Sequence, residues 1–81
     1  MRDLAHDARY YWYRMNQLTP RENEVAALAA AGLQVREIAD RLGIAEGTAK
    51  LHLHNIYAKL GIHSRAELGR AMAEREQAVE T

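Results

Sequence analysis

The 81-residue sequence predicts an all-α domain: four helices, preceded by a further helical segment at the N-terminus. Three observations carry this. Apolar residues recur at helical spacing throughout, with no alternating strand pattern. Two S/T-x-x-E boxes, Thr19–Glu22 and Ser64–Glu67, mark helix starts. Gly32, Gly43 and Gly61 each stand just after an apolar-periodic stretch, where a helix ends.

The first 17 residues form the N-terminal segment. Leu4, Ala8, Tyr11, Trp12 and Met15 fall on one apolar face, and Tyr10-Tyr11-Trp12-Tyr13 concentrates the aromatic side chains. Packing on the domain core, or a linker helix from a longer protein, is the plainer reading. A contact surface for a partner chain is the functional one. Stacking on single-stranded bases fits poorly, because little basic charge surrounds the run.

The domain proper is expected over residues 18–75. Thr19-Pro20-Arg21-Glu22 combines a capping residue, a proline suited to the first helical position and a glutamate that closes the capping box. Leu18, just before the cap, is expected to pack against Val25. Val25, Ala26, Leu28 and Ala29 make a narrow, alanine-rich stripe that lets a neighbouring helix approach closely. A short helix follows over 35–42, with Ile38, Ala39 and Leu42 inward and a weak start at Gln34. Gly43 ends it, Ile44 pins the turn, and a longer helix runs over 46–60. Two helices joined by a tight turn containing glycine form a helix-turn-helix, whose second helix enters a DNA major groove. The last helix starts at the Ser64 box and carries Leu68, Ala71 and Met72 on its apolar stripe. A polar, frayed tail is expected over residues 76–81.

Stepping about 3.6 residues per turn from Ala49 places Leu53, Ile56 and Leu60 inside the long helix. His52 and Tyr57 fall at its flanks, and His52 is read as structural. The opposite face is Gly47, Lys50, Leu51, His54 and Ala58, with Thr48, Asn55 and Lys59 along one edge. That face holds no acid and is small at its N-terminal end, as a groove about 12 Å wide requires. Lys50 can reach a guanine O6/N7 or a phosphate, Leu51 a thymine methyl, and His54 a base or phosphate. Each is weighed against an ordinary surface side chain.

The net charge is zero, with 11 basic and 11 acidic residues, which by itself counts against nucleic-acid binding. The charge is segregated, however. Residues 44–65 hold Lys50, Lys59 and Arg65 against Glu46, a net +2, whereas residues 66–81 net −2. There is no cysteine, and His6, His52, His54 and His63 include no pair at i, i+4 spacing, so no metal site is expected. No nucleophile–base pair, phosphate loop or carboxylate pair points to an enzyme, and no cofactor is expected. No apolar run approaches the roughly 18 residues of a membrane span, and no secretory signal opens the chain. A soluble cytoplasmic protein with no membrane partner is the expectation.

Leu18-Thr19-Pro20-Arg21-Glu22, Gly32-Leu33, Glu37-Ile38-Ala39, Leu42-Gly43-Ile44, Gly47-Thr48-Ala49-Lys50, His52-Leu53, Asn55-Ile56-Tyr57, Lys59-Leu60-Gly61 and Ser64-Arg65-Ala66-Glu67-Leu68 together resemble the LuxR-type (GerE- or NarL-type) helix-turn-helix domain. The resemblance runs in order over residues 18–73. It implies a tetrahelical bacterial transcription-regulator domain that binds duplex DNA as a homodimer, with RNA polymerase as a further candidate partner. It implies base contacts from Lys50, Leu51 and His54, DNA-backbone contacts from Thr48, Asn55 and Lys59, and a dimer interface that includes Leu68, Ala71 and Met72; Arg65 is expected as a further DNA-backbone contact. Such domains usually follow a phosphoacceptor domain, as in response regulators, or an autoinducer-binding domain. The sequence holds neither, so a fragment and a stand-alone member are both expected possibilities. The family usually has Ser or Thr where Ala45 stands, and Val where Ala49 stands. Sigma-factor-like promoter recognition shares part of the pattern, but the fourth capped helix favours the LuxR type. The other alternative is a protein-interaction module that keeps the fold and acts on a partner regulator, which the zero net charge and Tyr10–Tyr13 would favour.

Overall fold

The computed structural model describes the backbone of residues 16–80 and the side chains of residues 16–74. The helix expected over 1–17 therefore lies outside the described residues, save for a turn at Asn16 and Gln17. Four helices follow: α1 (Pro20–Ala30), α2 (Val35–Leu42), α3 (Glu46–Leu60) and α4 (Arg65–Glu80). Helix α1 packs against both α3 and α4, and α2 packs against α3 and α1. The long α3 is thereby held on two sides.

Local chemistry sets the helix starts. The Thr19 hydroxyl accepts the Glu22 N–H at 3.1 Å, while the Glu22 carboxylate accepts the Thr19 N–H at 2.8 Å. These two bonds satisfy donors that a helix start otherwise leaves open. Gln34 offers no side-chain cap, but Glu37 compensates by accepting the Gln34 N–H at 2.8 Å. At α4 the Ser64 hydroxyl accepts the Glu67 N–H at 3.2 Å. The Glu67 carboxylate reaches the His63 N–H rather than that of Ser64, so the expected box closes one residue early.

The stops share one design. Leu33 N–H bonds to Leu28 O at 3.1 Å, Ile44 N–H to Ala39 O at 3.0 Å, and Ile62 N–H to Tyr57 O at 3.0 Å. In each case the preceding glycine has positive φ: 98° at Gly32 and 67° at both Gly43 and Gly61. This is the geometry in which a left-handed residue turns the chain and an apolar residue folds back on the last turn. At Gly43 it sets the angle at which α3 leaves α2.

Helix α3 begins less well. Ala45 has the extended backbone of a cap, with φ −72° and ψ 151°, but no side chain to accept a helix N–H. Ala45→Ser should therefore raise stability by about 1 kcal/mol, read as a higher urea midpoint with unchanged slope.

The core is continuous across the four helices. Leu18, Val25, Ala26 and Ala29 meet Ile38 and Ala39 of α2, then Ala49, Leu53, Ile56 and Leu60 of α3, Ile62, and Leu68 and Ala71 of α4. Leu18 and Val25 both belong to this cluster. Where fraying is expected from residue 76, the backbone stays helical through Glu80. The stretch Glu74–Ala78 is built of good helix formers and contains neither glycine nor proline. No described helix is long and apolar enough to cross a membrane.

Candidate nucleic-acid interface

The inward side of α3 is Ala49, Leu53, Ile56 and Leu60, all buried. Because those four residues sit in the core on the side of α3 that packs against α1 and α2, the opposite side is left outward. Gly47, Thr48, Lys50, Leu51, His54 and Ala58 are all exposed there, and Asn55 is half-buried at the edge. Leu51, at 57%, is the one exposed large hydrophobic side chain among the described residues. A side chain of that size left in water stands out, since the rest of the described large apolar residues join the core or its margin.

Gly47 bears on the shape of this face. No atom of the chain lies within 4 Å of the place where a Cβ would stand. Packing within the chain therefore does not demand glycine, although glycine weakens a helix relative to alanine. The result is a shallow surface at the N-terminal end of α3, where the backbone itself can approach a partner.

Two cations expected beside phosphates make hydrogen bonds within the chain. Lys59 Nζ donates to Glu22 Oε1 at 2.7 Å and to the Gln17 carbonyl at 3.4 Å. Arg65 donates from one terminal nitrogen to the carbonyls of Leu33, at 2.7 Å, and Ala29, at 3.2 Å. The latter closes carbonyls at the C-terminal end of α1, where a cation is also favoured by the helix dipole. Of the cations between residues 44 and 65, Lys50 is the one that is exposed.

Leu68 and Ala71, for which the resemblance implies a dimer interface, lie in the core of this chain. Both are fully buried within this one chain, at 0% exposure. The α4 stripe is covered by α1, the helix it packs against. Met72 is half-buried at the margin of the core and remains accessible.

Glu22 is the buried charged residue of the described chain. Burial pushes its carboxyl up. Hydrogen bonds from the Lys59 ammonium and the Thr19 backbone, the Lys59 charge and the Thr19 hydroxyl outweigh that and leave it below its ordinary value of 4.5. A depressed carboxyl contributes stability that is present above pH 4.5 and is lost as pH falls through the folded-state value. Glu22→Gln should accordingly melt earlier than the parent at neutral pH, by about 1–2 kcal/mol. The two melting curves should converge as pH is lowered below the ordinary carboxylate range.

No group of three or more His, Cys, Asp or Glu residues that could hold a metal ion occurs among the described residues. Nothing in the outer face of α3 pairs a nucleophile with a base. What the face offers is one exposed ammonium, an imidazole, an apolar tip and small residues on a helix anchored in the core.

Comparison with known proteins agrees with this arrangement. Residues 16–72 match the family described as bacterial regulatory proteins, luxR family. Over 53 residues the chain is 45% identical to the nitrate/nitrite response regulator protein NarL of Escherichia coli K12, covering 65% of this chain and 24% of NarL. It is 42% identical over 59 residues to the transcriptional regulatory protein UhpA of the same organism, covering 73% of this chain and 30% of UhpA. A solved low-resolution structure of the response regulator StyR superposes with a TM-score of 0.78 at 39% identity, over 82% of this chain and 33% of that one. The chain thus spans about a quarter to a third of the length of these relatives. With the four-helix fold, the glycine turn ahead of α3 and the family match agreeing over the same residues, the chain belongs to the luxR family of bacterial helix-turn-helix, DNA-binding transcription regulators.

Proposed function

We propose that the chain binds duplex DNA sequence-specifically as a dimer and thereby regulates transcription, with α3 in the major groove. The observation that carries this is the outward face of α3: Lys50, Leu51 and His54 are exposed together on a helix whose other side is locked into the core. Lys50 suits the paired acceptors of a guanine, and Leu51 suits a thymine methyl. His54, one turn beyond Lys50, reaches the next base pair or a phosphate. Thr48 and Asn55 lie along the edge, where hydroxyl and amide groups donate to phosphate oxygens. Met72, still accessible on α4, belongs to the face through which a second copy would dock.

Only a few cations face outward, so affinity depends on base contacts and on two copies binding together more than on a strong basic field. Binding should weaken as salt rises, because each phosphate contact releases condensed counterions. Selection from random duplexes, followed by titration of the recovered site at several salt concentrations, tests the proposal. Enrichment of a short, roughly palindromic site is the expected result. Absence of any duplex binding, even at low salt, would replace it with the protein-interaction reading of the same fold.

A further inference from the structure

We infer that Lys59 serves DNA binding as a positioning residue, fixing the C-terminal end of α3 to the start of α1 through Glu22, and not as a phosphate ligand. The inference rests on α3 being the DNA-reading helix. Glu22 Oε1 accepts two hydrogen bonds, from Lys59 Nζ at 2.7 Å and from the Thr19 N–H at 2.8 Å. Lys59 also faces the Gln17 carbonyl at 3.4 Å. The ammonium is thus gripped by the segment that opens α1, 37 residues away in sequence from Glu22.

Two consequences follow. The first is geometric. The apolar contacts of Leu53, Ile56 and Leu60 hold α3 against its neighbours, but burial is non-directional and allows small tilts. A charge-assisted hydrogen bond has a fixed direction. Lys59 lies about 13 Å along the axis from Lys50, at about 1.5 Å per residue. A tilt of about 10° would move Lys50 by about 2 Å, well beyond the roughly 0.5 Å tolerance of a recognition site. The second consequence is electrostatic. An ammonium already compensated by a carboxylate at 2.7 Å releases no counterion on docking and contributes nothing to the salt dependence of binding.

The test uses the full chain and the selected duplex at a series of salt concentrations, each variant being measured well below its own melting temperature. Lys59→Met keeps the aliphatic stem, and Glu22→Gln keeps the shape and loses the charge. Both should weaken specific binding about fivefold or more, with the slope of log K against log salt unchanged. Because both act through one bond, the double variant should bind no more weakly than either single one. A phosphate ligand would behave otherwise: Lys59→Met would reduce the slope by about 0.9, and Glu22→Gln, by freeing the ammonium, would strengthen binding. Unchanged affinity in both variants would reduce the pair to a purely stabilising role. Either result overturns the inference while leaving the DNA-binding reading in place. A parent chain that binds no duplex at any salt concentration overturns both.

Discussion

Leu68→Ala is expected to lower stability by about 2–5 kcal/mol, and to do so equally at every protein concentration. Leu68 is fully buried, on the α4 face that packs against α1. Truncation leaves a cavity in the core that α4 shares with α1. A domain of this size is stable by about 4–12 kcal/mol, so the loss is a large fraction of the total. Denaturant unfolding at two protein concentrations separates the two roles considered for this residue. A core residue shifts the midpoint by the same amount at both concentrations. A dimer contact would give a shift that vanishes when the protein is dilute enough to be monomeric.

Lys50→Ala is expected to weaken binding to the selected site by roughly 1–3 kcal/mol, about fivefold to 150-fold, and to relax discrimination at one base pair. The structure leaves Lys50 exposed on the outer face, whereas Lys59 and Arg65 are held by intrachain acceptors. It thus has the strongest opportunity of the cations on α3 to meet an acceptor in the groove. Competition assays with single-base variants of the site measure the effect. A loss that is equal on all sequences would assign Lys50 to a phosphate, because phosphate contacts carry no sequence information.

Much of the fold is legible in the sequence because its signals are local. The capping box at Thr19–Glu22 acts over four residues, and each glycine stop acts over one turn. The faces of α3 follow from helical period alone: Ala49, Leu53, Ile56 and Leu60 are inside, and Gly47, Lys50, Leu51, His54 and Ala58 are outside. What the sequence hides is non-local. Lys59 and Arg65 sit where a helix edge would offer cations to phosphates, yet their acceptors are 32 to 42 residues away. No pattern within one helix discloses such a bond. Glu22 looks like a capping residue and nothing more, because its second partner arrives only when α3 packs on α1. The apolar stripe of α4 is equally ambiguous. Periodicity says which face avoids water, but not whether α1 or a second copy covers it, and here α1 covers Leu68 and Ala71.

The central claim is that the outer face of α3 docks on duplex DNA. Titrating the isotope-labelled chain with the selected duplex and following backbone amide shifts tests it most directly. The account predicts that the largest changes fall on residues 46–58, centred on Lys50, Leu51 and His54, with smaller changes in the turn at Gly43–Ala45. Changes concentrated on α4 or on the first 17 residues, with the amides of α3 unmoved, would contradict it.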